Sequence, residues 1–499
     1  MDCDRDQSIV STEILINVTP QETRSALVEN GVLQEIYIER RSHLGIVGNI
    51  YKGKVSRVLP GMQAAFVDIG LERAAFLHAS DIRPRDVSDE IDCDQEMQQI
   101  TKLVSDGQEL LVQVVKDPLG SKGARLTTQI SIPSRYLVFM PSVQCIGVSQ
   151  RIEDEGERER LRAMIQQAVA EGGYGGFIVR TAGEGIPEAD LLHEAKLLYK
   201  IWESVQETAR KVKSRSLVHR DLPLEQRTIR DQLKDSVERV RIDSRQTWES
   251  CREFAARFNP DLASRVEYYP GECPIFDLFS VEDEIQKALQ RKVPLKSGGY
   301  LIIDQTEAMT TIDVNTGSFV GHHNLEETIF KTNLEATQAI ARQLRLRNLG
   351  GIIILDLIDM EDEHHRQQVM RSLQKHLDLD HARTHVSAVS SLGLVEMTRK
   401  RTRESLEHVL CETCPTCEGR GYLKTPETVC YEIFREIIRE YRQYEDSREF
   451  LVLAAQEITD LLLDEESASL AELEEFIGKP VRLQVETFYT SEQFDVVPV

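Results

Sequence analysis

No stretch of the chain approaches the run of about 20 apolar residues that a membrane-spanning helix needs. The N-terminus, MDCDRDQSIVSTEILINV, begins acidic and has no apolar signal-peptide core, so export is not expected. A disulfide framework is missing too. The nine cysteines are odd in number and mostly scattered, which points to a reducing, cytoplasmic compartment. Positive charge is short: 60 Lys and Arg stand against 83 Asp and Glu, for a net charge of -23. The basic total that usually marks a nucleic-acid binder is therefore absent. That does not exclude nucleic acid, because binding needs a local basic surface rather than a basic sum. Acid is concentrated at Asp86 to Glu96 and Asp460 to Glu475, while basic clusters lie at Arg210 to Arg215, Arg342 to Arg347 and Thr398 to Arg403. Repeats and low-complexity segments are lacking as well. What remains is an ordinary globular composition in a chain long enough for three or four domains.

Hydrophobic period divides the chain. EILINV and ALVENGVLQEIYIER alternate apolar and polar residues, and Asn30-Gly31 supplies a hairpin turn. Residues 49 to 82 carry short alternating runs broken at Pro60-Gly61 and Gly70, the pattern of a small antiparallel barrel. The acidic run after Asp86 reads as a solvated loop within it. From Arg151 the period turns helical and stops at a glycine pair. GFIVRTAGEG reads as a strand and a tight turn, and residues 188 to 258 as mostly helix. Ser297 to Phe319 predicts two strands, and Asn324 to Asn348 a long amphipathic helix. GIIILDLIDM is a continuous apolar run and predicts a buried central strand. A helix, the strand HVSAVS, a helix over Thr428 to Tyr444 and a strand-helix-strand tail follow.

Two aspartates stand at strand ends, where open α/β folds place their sites. Asp313 follows MTTI, and Asp356 ends GIIIL. Carboxylates brought together repel unless a cation neutralises them. Mg²⁺ binds through one or two carboxylates together with phosphate oxygens and water. Asn315, two residues after Asp313, falls on the same strand face. The plainer alternative is a turn former or helix cap. Asp359 and Glu307 are equal candidates by position alone.

CETCPTCEGRG places Cys411, Cys414 and Cys417 at three-residue spacing. Cys414 and Cys417, followed by Gly419 and Gly421, read as a zinc-knuckle half-site. With no further CxxC outside this cluster, two chains would have to share Zn²⁺ through a Cys₄ set, which predicts a metal-linked homo-oligomer. A redox CxxC and plain buried thiols are the alternatives. Cys411 stays unassigned.

TTIDVNTGSFVG, EETIFKTNLEATQAIARQLRLRNLGGIIILDLIDM, GLVEMTRKRTRESL and CPTCEGRG closely resemble the catalytic half of the bacterial RNase E/G family, and the likeness runs over essentially the whole chain. The resemblance implies an α+β multidomain protein. An RNase H-like region would combine residues 1–46 and 225–289, interrupted by an OB-fold RNA-binding domain at 47–127 and a 5′-sensor region at 128–224. A DNase I-like catalytic domain at 290–410, a zinc link at 411–424 and a small α/β dimerisation domain at 425–499 would follow. Asp313 and Asp356 match the family's Mg²⁺ ligands, and Asn315 the asparagine beside them. Arg180, Thr181 and Val138 match the pocket for an RNA 5′-monophosphate, with Ser134 standing where the family has glycine. Phe66 and Phe76 match base-stacking aromatics, and Lys122 and Arg383 match RNA contacts. For the two Phe side chains, a place in the core is the alternative. The implied activity is Mg²⁺-dependent cutting of single-stranded, A/U-rich RNA to 5′-phosphate and 3′-hydroxyl ends, promoted by a 5′-monophosphate. The implied roles are 5′-end maturation of small-subunit rRNA and mRNA decay, carried out by a homodimer or a dimer of dimers. A non-catalytic RNA-binding scaffold is the rival reading.

Overall fold

The computed structural model describes residues 11–41, 45–82, 99–118, 123–172, 175–234, 236–258, 260–317, 325–390, 392–401, 403–444 and 447–499. The chain divides into two compact units, one ending at Leu406 and the other starting at Glu407. No helix among the described residues is long and apolar enough to cross a membrane.

Alternation builds the first sheet of the larger unit. Its order is Val266–Tyr268, Val237–Ile242, Thr12–Val18, Glu22–Glu29 and Val32–Arg40. Asn30 and Gly31 both take positive φ (50° and 75°), as the predicted tight turn requires. Thr12–Val18 runs antiparallel to Glu22–Glu29 and parallel to Val237–Ile242. The second pairing adds a strand to residues 188 to 258, which are otherwise mostly helical as expected. Helices Glu188–Lys211, Leu224–Gln232 and Arg245–Phe258 do form there, but strands Ser216–His219 and Val237–Ile242 interrupt them. VERVRI is only half alternating, and its charged neighbours hid it.

The barrel is closed. Ile50–Leu59 pairs with Ala64–Asp68 on one side and Glu109–Lys116 on the other, and Ala75–His78 and Arg125–Thr127 complete the ring. Val55, Ala65, Val67, Leu77, Val112 and Leu126 fill its interior. The expected acidic loop at 86–96 and Lys122 lie outside the described residues. A four-stranded sheet comes next, in the order Ile146–Val148, Gly176–Val179, Leu137–Met140, Ile132–Pro133. Helices Glu155–Gly172 and Glu188–Lys211 pack on it through Phe139, Phe177 and Tyr199, whose ring centroids lie 4.9 to 5.5 Å apart.

The last sheet of this unit has six strands, in the order Lys292–Pro294, Tyr300–Gln305, Met309–Asn315, Gly351–Asp356, Leu394–Arg399, Thr384–Val386. Helices Leu325–Leu346 and Glu363–Leu377 contribute to its core. The apolar run GIIIL does form an interior strand, but it is covered on one face only. Ile353 and Leu355 are fully buried, whereas Ile352 is 49% exposed. A run of apolar residues therefore did not mean a strand covered on both sides. HVSAVS is likewise shortened to Thr384–Val386.

In the smaller unit, helices Pro426–Gln443, Gln456–Leu463 and Ser467–Ile477 share a core with strands Phe450–Ala454, Val481–Val485 and Phe494–Pro498. Phe450–Ala454 is central, parallel to one neighbour and antiparallel to the other. The tail thus holds one helix and one strand more than its pattern suggested.

Candidate active site and nucleic-acid interface

Register brings the two aspartates together. Met309–Asn315 and Gly351–Asp356 are parallel neighbours in which Asp313 is the direct partner of Asp356. Ile312, Val314, Ile353 and Leu355 point into the core, so Asp313 and Asp356 point out of the open face. Each buried aliphatic side chain contributes about 1.5–3 kcal/mol. A slip of one residue would bury both carboxylates and expose those side chains, so the apolar face holds the register. Burial first, and then repulsion from Asp313 and Asp359, pushes the Asp356 carboxyl above its ordinary value. Asn315 donates an Nδ2 hydrogen bond to Asp313 Oδ2 at 2.8 Å. After Asn315 the chain turns tightly at Gly317 (φ +60°), where an added Cβ would sit 2.5 Å from the Gly298 carbonyl oxygen.

The rival acids separate here. Glu307 lies in the hairpin before Met309, at the far end of the strand from Asp313. Asp359 stays close enough to act on Asp356. Its loop is fixed by Asn333, which is fully buried on the helix Leu325–Leu346. Asn333 donates to the Ile358 carbonyl at 2.8 Å and accepts from the Ile358 amide at 3.1 Å. The sequence reading missed this clamp. Its signal was an amide side chain on the apolar face of an amphipathic helix.

On the four-stranded sheet, Arg180 follows Gly176–Val179. Its Nη1 donates to the Ser134 carbonyl at 2.6 Å and to Asp231 Oδ1 at 2.8 Å. Burial pushes the Asp231 carboxyl up, but Arg230 and Arg180 together hold it below its usual value. Thr181 Oγ1 lies 3.1 Å from Ser149 Oγ. Val138 pairs with Ile178, two residues before Arg180, on the face turned away from Phe139 and Phe177. Arg383 is exposed beside Lys400, at the end of the six-stranded sheet remote from Asp356. The His381 carbonyl, two residues earlier, accepts from Arg151 at 3.4 Å. Arg383 therefore lies on the loop that the Arg151 side chain reaches, away from the acid pair.

The barrel phenylalanines face outward. Phe66 and Phe76 are direct cross-strand partners, half-buried between the fully buried Ala65, Val67, Ala75 and Leu77. Their centroids lie 6.3 Å apart, edge to face, and His78 lies 6.4 Å beyond Phe76. Arg57 pairs with Phe66, and Arg125 with Phe76. One row across four strands thus reads Arg57, Phe66, Phe76, Arg125. The two arginines and His78 escaped the sequence reading because only register aligns them.

In the smaller unit, Cys414 and Cys417 sit on a knuckle turn. The Glu418 amide donates to the Cys414 carbonyl and the Arg420 amide to the Cys417 carbonyl, both at 2.8 Å, and Gly419 takes φ +83°. Amide N–H groups of Cys417 and Thr416 hold the Cys414 thiol below its usual value. Among the described residues no three His, Cys, Asp or Glu side chains are grouped to hold a metal, so Cys411 does not complete a set with this pair.

A sequence profile of the Ribonuclease E/G family matches residues 131–402. The chain is 59% identical to Ribonuclease G of Escherichia coli (strain K12) over 490 residues, 98% of this chain and 100% of that one. The chain belongs to the ribonuclease E/G family. Ribonuclease G of Haemophilus influenzae is 56% identical over 490 residues, 98% of this chain and 99% of that protein. Ribonuclease E of Escherichia coli (strain K12) is 38% identical over 464 residues, 92% of this chain and 43% of the longer protein. A profile of the S1 RNA binding domain matches residues 46–119, the greater part of the closed barrel, and the family's thioredoxin-like domain matches 413–498. The outward phenylalanine pair thus belongs to the family's S1 barrel, and the knuckle opens its thioredoxin-like domain.

Proposed function

We propose that Asp313 and Asp356 hold a Mg²⁺ ion and that the chain uses it to cut single-stranded, A/U-rich RNA internally, leaving 5′-phosphate and 3′-hydroxyl ends. As a member of the ribonuclease E/G family, the chain is an endoribonuclease. The observation that carries the metal reading is the in-register pairing of two outward carboxylates on adjacent parallel strands. Their mutual repulsion, felt at Asp356, is the electrostatic condition that a cation relieves. Bound there, the ion would neutralise charge on the scissile phosphate and activate the attacking water. Asn315 fixes the Asp313 rotamer through its Nδ2 hydrogen bond. Asn333 holds the loop beyond Asp356 in place.

Substrate would be gathered by stacking on Phe66 and Phe76, with Lys122 as a further contact. Arg180, Thr181 and Val138 would form the 5′-monophosphate pocket, and Arg383 would add a contact from its loop. The proposed organisation keeps an RNase H-like region (1–46 and 225–289), the barrel (47–127), a 5′-sensor (128–224) and a DNase I-like catalytic domain (290–410). Maturation of the 5′ end of small-subunit rRNA and mRNA decay are the proposed roles. The test is incubation of purified protein with 5′-monophosphorylated and 5′-hydroxyl forms of one RNA, with and without Mg²⁺. Binding without cutting would favour the scaffold reading. In the same assay, Arg180→Gln should bring the ratio of rates on the two RNAs down by roughly tenfold. A ratio unchanged from the parent would remove Arg180 from the sensor.

The zinc link (411–424) would join two chains through Cys414 and Cys417 of each, with residues 425–499 as the dimerisation domain of a homodimer or a dimer of dimers. The lowered Cys414 thiol and the left-handed Gly419 suit thiolate ligands. Cys414→Ser or Cys417→Ser should release zinc and halve the mass measured by light scattering. An unchanged mass would refute a shared site.

A further inference from the structure

The open face of the six-stranded sheet extends beyond the acid pair. Ile302 is the direct partner of Asp313, and Tyr300 the direct partner of Asn315. Lys292, on the next strand, is the direct partner of Ile302. Direct partners share a face, so Lys292, Ile302, Tyr300, Asp313, Asn315 and Asp356 all lie on the open side. Burial agrees, since Leu301 and Ile303 between them are in the core. The Lys292 ammonium sits 3.8 Å from the centroid of the Tyr300 ring. Lys292 is exposed and, among the described residues, makes no ion pair. Its neighbour Arg291, by contrast, is held by Asp304.

We infer that Tyr300 and Lys292 form a nucleotide subsite beside the scissile position, Tyr300 stacking on the flanking base and Lys292 meeting an adjoining phosphate. The inference rests on Asp313 and Asp356 being the cutting site. Diagonal neighbours on one sheet face lie roughly 7–8 Å apart, within reach of a long aromatic side chain. The Lys292 ammonium that lies over the ring would move off it to meet backbone charge, leaving the half-buried ring as a sequence-tolerant platform for a base. The same strands that set the acid pair hold both groups, so the subsite is rigidly placed relative to the cut. The barrel phenylalanines belong to a different sheet and would collect RNA elsewhere along the strand.

The test uses the full chain and a 5′-monophosphorylated RNA with one cleavage site. In a companion set, each nucleotide flanking the cut is made abasic in turn. Binding is followed by fluorescence anisotropy in chelator, and kcat and KM are measured with Mg²⁺. In the parent, one abasic position should weaken binding roughly tenfold. Tyr300→Ala and Tyr300→Leu should show that loss on intact RNA and no further loss at that position. Tyr300→Phe should restore the parental pattern. Lys292→Gln should weaken all the RNAs alike and reduce the slope of log affinity against log salt by about 0.7. The subsite is overturned if both Tyr300 variants bind intact RNA like the parent. It is also overturned if they stay as sensitive as the parent to every abasic position. Cleavage by Asp313→Asn would instead sink the acid-pair reading, a separate outcome, because the binding cycle is run without the ion.

Discussion

Asp313→Asn and Asp356→Asn should each lower the cleavage rate at least about 100-fold, because each removes half of the charge that would hold the ion. RNA binding in chelator should survive, since the barrel and the proposed 5′-monophosphate pocket are untouched. The Asp356 variant should also melt at a higher temperature than the parent in chelator. The sign follows from linkage. Burial, with Asp313 and Asp359, raises the folded-state pKa of Asp356 above the ordinary aspartate value. The folded chain therefore binds the proton more tightly than the unfolded chain, and parental stability falls as pH rises through the folded value. At neutral pH that cost is fully present, and Asn removes it. Cleavage should show the opposite trend and fail as acid protonates Asp356. A variant that loses activity without gaining melting temperature would count against a repelling pair. One that cuts at the parental rate would end the metal reading.

The acid pair also shows what the sequence carried and where it stopped. MTTID and GIIILD announced strands, and each aspartate's place at a strand end was legible. Which acid met which was not, because register is decided by long-range pairing. Asp313 meets Asp356, while Glu307 is left at the far end of its strand. The one-sided burial of GIIIL was hidden for a related reason. Isoleucine at positions 352 and 354 satisfies strand propensity whether or not a layer covers it. Helices Leu325–Leu346 and Pro426–Gln443 fell close to their predicted ends, since helical period is a local signal. The strand Val237–Ile242 was lost in charged helical surroundings and exists because Thr12–Val18 lies beside it. At the barrel, alternation allowed Phe66 and Phe76 to face either way. The buried Ala65, Val67, Ala75 and Leu77 turned them outward.

Arg345→Met should destabilise the fold by about 3–5 kcal/mol at neutral pH, the usual consequence of leaving a buried charge without its partner. Arg345 is 7% exposed and Glu35 is 6% exposed. Arg345 Nη2 lies 2.9 Å from Glu35 Oε1, and 3.5 Å from Glu29 Oε1. Tyr37 donates its hydroxyl to Glu35 Oε2 at 2.6 Å, while the Arg403 guanidinium lies 3.6 Å from the Tyr37 ring centroid. Helix Leu325–Leu346 is thus tied to the strand Val32–Arg40 of the first sheet through one buried cluster. Burial pushes the Glu35 carboxyl up, but Arg345 and Tyr37 hold it below the ordinary glutamate value of 4.5. In the parent that contribution is present above 4.5 and is lost as pH falls through the lower folded value. Without Arg345, burial dominates and the folded value rises above the unfolded one. The variant's Glu35 then favours the fold at low pH and opposes it as pH rises. The stability gap measured by urea unfolding should therefore narrow between neutral pH and about pH 5. Adding Glu35→Gln to Arg345→Met should recover much of the loss at neutral pH, because an amide is far cheaper to bury than a carboxylate. A gap that stays constant with pH would mean that lost packing of the arginine stem, rather than the stranded Glu35 charge, sets the cost.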